Sequence, residues 1–130
     1  MIRPIASLAI LLALAAPALA EDPAFTTLTA CRLDPERIAL TYAFDGGACQ
    51  KVGEITAAEP RGTIAAVTIP TSRTSEMCTM QIVSIEGHAV LRLPEPVFDL
   101  DVEVLHPDNR VQAAGVIELD EDGECVEPAQ

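Results

Sequence analysis

Tryptophan is absent from this chain, tyrosine occurs once, and aromatic residues make up 3% of its 130 positions. Sites that stack bases or sugar rings on aromatic platforms have little to build from here. Positive charge is scarce too: 8 Lys and Arg stand against 20 Asp and Glu, a formal net charge of −12. Nucleic acid and anionic membrane are therefore not expected partners, since both are held by cationic surface. The chain also lacks a C-x-x-C pair, a G-x-S-x-G nucleophile elbow and a Gly-rich phosphate loop leading into a helix. Zinc-ribbon, esterase and nucleotide chemistries lose their usual sequence supports.

What is present is apolar material and four cysteines, with 49% of the chain hydrophobic and a positive mean hydropathy. That composition folds rather than remaining disordered. Residues 1–20 carry the parts of a secretory signal: Arg3 at the start, an apolar stretch from Ile5 to Ala16, and Ala18-Leu19-Ala20 as a small-x-small cleavage site. The stretch falls short of the roughly 20 apolar residues a spanning helix needs. Export is expected, to the periplasm of a Gram-negative cell or outside the cell, with no membrane association once the signal is removed. Residues 21–130 are then one domain, with an acidic tail from about residue 118.

Export changes how Cys31, Cys49, Cys78 and Cys125 are read. An even number in an oxidising compartment implies two disulfides. Three pairings are possible. Cys31–Cys125 with Cys49–Cys78 is the expected one, the first tying the ends together and the second spanning the middle.

Hydrophobic alternation predicts strands. Phe98, Leu100, Val102 and Val104 alternate with Asp99, Asp101 and Glu103 along Val97–Leu105. Arg37–Phe44 repeats the pattern with Ile38, Leu40, Tyr42 and Phe44 on one face, and Arg110–Leu119 follows more weakly. Thr63–Ile69 is almost continuously apolar, as in a strand buried on both sides, with Pro70 ending it. Met80–Ile85 and His88–Leu93 read as a hairpin around Glu86-Gly87. Thr26–Leu33 and Val52–Ala57 complete the set. Turn-formers at Asp34-Pro35, Asp45-Gly46-Gly47, Glu59-Pro60-Arg61-Gly62, Pro94-Glu95-Pro96 and Pro107-Asp108-Asn109 separate the strands. The expected fold is all-β: a small two-layer antiparallel sandwich of about seven strands, immunoglobulin-like in the loose sense, with a small β-barrel as the alternative.

Several side-chain groups could carry chemistry. Asp99, Asp101 and Glu103 form a carboxylate row at about 6.6 Å intervals, suited to docking a cationic partner or, in a sheltered pocket, to sugar hydrolysis. Asp120-Glu121-Asp122-Gly123-Glu124 is similar to part of a calcium loop, but Cys125 interrupts it. Met77, Met80, His88 and His106 offer soft sulfur and imidazole ligands for copper, with Met80 expected in the core. Residues 70–77 form a polar connector anchored by Cys78, with Arg73 and Glu76 at its rim. The reading that follows is an exported, non-enzymatic binding or accessory module without a cofactor. It would dock a protein partner, basic in character, through Asp99, Asp101, Glu103, Arg73 and Glu76. A periplasmic metal-binding protein and a small hydrolase are the two alternatives.

Overall fold

A computed structural model of the chain describes residues 24–120 and Cys125. The expected signal segment and residues 121–124 of the acidic stretch lie outside the described residues. Eight strands follow in order: β1 (Thr27–Asp34), β2 (Arg37–Gly47), β3 (Gln50–Val52), β4 (Thr56–Ala57), β5 (Ile64–Arg73), β6 (Ile82–Arg92), β7 (Asp99–Leu105) and β8 (Val111–Glu118). They form two packed sheets, β1-β2-β6 and β3-β5-β7-β8, with β4 also pairing β5. The fold is a small β-sandwich. Its pairings are antiparallel except β5–β7, which run parallel because the chain visits the other sheet as β6 between them.

The core is what the alternation dictates. Ile38, Leu40, Tyr42 and Phe44 of β2 face Ala65, Val67 and Ile69 of β5 and Leu100, Val102 and Val104 of β7. Each large apolar side chain fully buried there contributes about 1.5–3 kcal/mol before the entropy of ordering is subtracted. Both disulfides take the expected pairing, with Cα–Cα distances of 5.6 Å for Cys31–Cys125 and 5.8 Å for Cys49–Cys78. Cys31–Cys125 acts beside the isolated bridge Cys31–Asp120, which brings the end of the described chain against β1.

Arg32 fastens the crossing between sheets. Its guanidinium donates to the carbonyls of Asp34 (3.2 Å), Leu93 (2.9 Å), Pro94 (2.9 Å) and Val97 (3.1 Å). The Pro94-Glu95-Pro96 corner, which carries the chain from β6 to β7, is thereby held to β1.

Five local expectations are corrected. Residues 80–93 do not form a hairpin: β6 is one strand, paired along its whole length with the equally long β2. Gly87 serves a close approach instead, since a Cβ there would sit 2.6 Å from Tyr42 Oη. Asp45-Gly46-Gly47 continues β2, and the turn falls at Ala48-Cys49. The strand from Ile64 is buried on one face only and runs through Pro70 to Arg73. Pro70 is tolerated because it sits in the gap where β5 changes partner from β4 to β3. Phe98 is 48% exposed and Val97 takes the core position, because the strand proper begins only at Asp99. Where the turns behave as expected, Gly62 supplies a φ of 62° and Asn109 one of 69°.

Candidate functional site

The carboxylate row stands on the outer face of the five-stranded sheet. Leu100, Val102 and Val104 are fully buried, so the pleat turns Asp99, Asp101 and Glu103 to the opposite side. β7 is an inner strand, bonded to β5 on one side and β8 on the other. These charges therefore do not protect a sheet edge, the ordinary use of such residues.

Register defines the row's neighbours. Asp99 is flanked by Ile64 and Glu118, Asp101 by Ala66 and Val116, and Glu103 by Thr68 and Ala114. Ile64 is 47% and Val116 69% exposed, so two apolar side chains bracket the acids on a continuous sheet surface. Asp99 and Glu118 stand directly opposite one another, a like-charge pair that works against the fold. Arg37 pairs with Asp34 (2.7 Å) and Arg110 with Asp108 (2.6 Å), both away from this face. Lys51 stands opposite Ser72 toward the far end of β5, away from Ile64.

The remaining expected site residues do not join this face. Arg73 ends β5 nine positions beyond Ile64, roughly 30 Å along the strand from the level of Asp99. Glu76 is exposed in the connector that follows. Arg73 lines a cavity of about 550 Å³ at that end of the sandwich, together with Met80, His106, Gln112 and the Cys49–Cys78 disulfide. Gln50 and Gln112 tie its floor: Gln112 Nε2 donates to Gln50 Oε1 (3.2 Å) and to the Asp45 carbonyl (3.0 Å), and Gln50 Nε2 donates to Thr71 Oγ1 (2.8 Å).

The four metal candidates are divided. Met80 and His106 share the large cavity, while His88 lines a separate recess of about 270 Å³ with Tyr42 and Gly87. Met77 is almost fully exposed, and Met80 is exposed rather than in the core, because β6 begins only at Ile82. Among the described residues, no group of three or more His, Cys, Asp or Glu is arranged to hold a metal ion. Asp99, Asp101 and Glu103 line neither of these two cavities.

Among the described residues, three shifted ionisations stand away from the row. Asp34 is held below its ordinary value by the Arg37 guanidinium and the Glu36 amide. Asp108 is lowered by the Arg110 backbone N–H and guanidinium. Burial raises Tyr42.

Sequence reasoning missed Ile64, Val116 and Glu118 as members of this face. The parity of Val116 against Ile117 could have placed it outward. Ile64 could not have been placed without the register of β5 on β7. Comparison with known protein families, with curated proteins and with solved structures yields no match.

Proposed function

We propose that this protein is an exported, non-enzymatic docking module that engages a cationic protein through the outer face of its five-stranded sheet. The observation that carries this reading is the row Asp99, Asp101 and Glu103, extended by Glu118 and bracketed by exposed Ile64 and Val116. A broad surface combining acidic and apolar groups suits a partner bearing Lys or Arg beside apolar side chains. The like-charge opposition of Asp99 and Glu118 supports the same reading, because a stability cost held at an exposed surface is relieved when a cation arrives. Two disulfides support an oxidising compartment for this work.

The experiment uses the oxidised protein and the Asp99→Asn/Asp101→Asn/Glu103→Gln variant as parallel baits for the exported fraction of its source cell. The reading expects a basic protein held by the wild type at low salt, released at high salt and not held by the variant. Identical capture by both baits, or capture that ignores salt, would refute it.

A further inference from the structure

The two sheets leave a space between them at the end where β2 turns into β3, and the sequence keeps that space open. β2 ends on Gly46-Gly47 and contributes no side chain there. A Cβ on Gly46 would lie 2.7 Å from Gln50 Oε1, so glycine lets that amide close over the strand. Gly47 stands opposite Ile82 in the ladder and offers nothing to cover it, and Ile82 is 79% exposed. On β8, Gln112 is the extra residue of a bulge, since Val104 pairs with Ala113 and Leu105 with Val111. A bulge re-aims a side chain, and this one brings Gln112 to Gln50. The two amides bond to each other reciprocally, and their remaining hydrogens go to Thr71 Oγ1 and the Asp45 carbonyl. Every amide N–H on the floor of the 550 Å³ cavity is thereby used, and the floor is fixed.

Arg73 is the group this floor leaves open. Alternation along β5 puts it on the inner face with Val67, Ile69 and Thr71, and it stands opposite Gln50 in the ladder. Among the described residues, no carboxylate pairs with its guanidinium and no acceptor takes a hydrogen bond from it. Asp45 also lines the cavity, but it lies between buried Phe44 and Gly46, so the pleat turns its side chain outward. An unengaged guanidinium at the mouth of a recess, on a chain of net charge −12, marks a place where an anion is received. We propose that this cavity binds a small amphiphilic carboxylate, its head on Arg73 and its alkyl chain against Met80, Ile82 and the Cys49–Cys78 disulfide. The planar fork of Arg73 matches a carboxylate through two parallel N–H bonds. The volume falls within the range of about 300–1,000 Å³ that small-molecule sites occupy. Among the described residues, no Phe or Tyr lines the cavity, and a methionine wall adapts to a flexible chain. The proposal does not rest on the docking reading, since Arg73 is roughly 30 Å along β5 from the level of Asp99.

Calorimetric titration of the purified protein, with both disulfides formed, tests it with decanoate below the concentration at which decanoate aggregates. The wild type is expected to bind one decanoate saturably, and decylammonium and decanol about tenfold more weakly or less. Arg73→Gln removes the fork from an exposed side chain without a partner, so the variant should fold as the wild type does, which circular dichroism checks. It is expected to weaken decanoate about tenfold or more and to leave decanol unchanged. Ile82→Ser, at an exposed position, is expected to weaken decanoate and decanol alike. Amide shifts on addition of decanoate should centre on Gly46, Gly47, Arg73 and Ile82. The Asp99→Asn/Asp101→Asn/Glu103→Gln variant should bind decanoate as the wild type does, which separates this site from the docking face. Absence of saturable decanoate binding overturns the proposal, as does decylammonium binding as tightly as decanoate. Decanoate affinity indifferent to Arg73→Gln, or shifts centred on the outer face of β7, overturns it equally.

Discussion

The phenol of Tyr42 occupies the space that a side chain on Gly87 would need. A Cβ at 87 would lie 2.6 Å from Tyr42 Oη and 2.9 Å from Cζ. The two residues are register partners on β2 and β6, and Tyr42 stacks on Phe44 with ring centroids 6.1 Å apart. Gly87→Ala is therefore expected to destabilise the fold by about 1–3 kcal/mol, as overpacking does. Chemical denaturation of Gly87→Ala, Tyr42→Ala and the double variant checks this: the double variant should cost less than the two single effects added together.

Tyr42 also sets an alkaline limit. Burial raises its pKa above the ordinary value of 10.0, so the folded state favours the protonated phenol. That stabilisation is fully present below the unfolded value and is lost as pH rises through the folded one. Thermal melts across the alkaline range should fall more steeply for the wild type than for Tyr42→Phe. Parallel curves would contradict the assignment.

Arg32 gathers four carbonyls from β1 and the β6–β7 corner, and lysine cannot reproduce that fork. Arg32→Ala is expected to cost about 2–3 kcal/mol in denaturant unfolding, with Arg32→Lys recovering less than half. Hydrogen exchange should show the amides around Val97 opening first in both variants.

The acidic face is expected to hold a conflict between stability and docking. Glu118→Lys replaces the like-charge opposition with Asp99 by an attractive cross-strand pair, which should stabilise the fold by about 0.5–1 kcal/mol at low salt. The gain should shrink as salt rises. The same substitution should weaken capture of a cationic partner. A variant that gains stability and keeps full capture would separate Glu118 from the docking face.

The fold was legible where the pattern was strict. Ile38, Leu40, Tyr42 and Phe44, and likewise Leu100, Val102 and Val104, alternate without interruption, and the structure buries each of them. Cysteine position favoured the nested pairing, a tie between the ends with a bridge across the middle, without deciding among the three, and the structure forms that one. Glycine misled, because its type does not say which freedom is being used. Gly87 looks like a turn residue in a row of apolar positions, yet it admits a ring from the neighbouring strand. Ile64 and Ala66 looked core-like because apolar composition does not reveal which face of a strand is covered. The carboxylate row could be read as a row, but its setting depended on β7 lying between β5 and β8, a register that no local pattern encodes.

The central claim is that partners meet this protein on the outer face of β5, β7 and β8. Residue-resolved amide shifts, recorded as the captured basic protein is added, test it most directly. The account predicts changes centred on Ile64, Asp99, Asp101, Glu103 and Val116, collapsing in high salt. Changes confined to the rim of the cavity at Arg73 and His106, or to the other sheet, would contradict it.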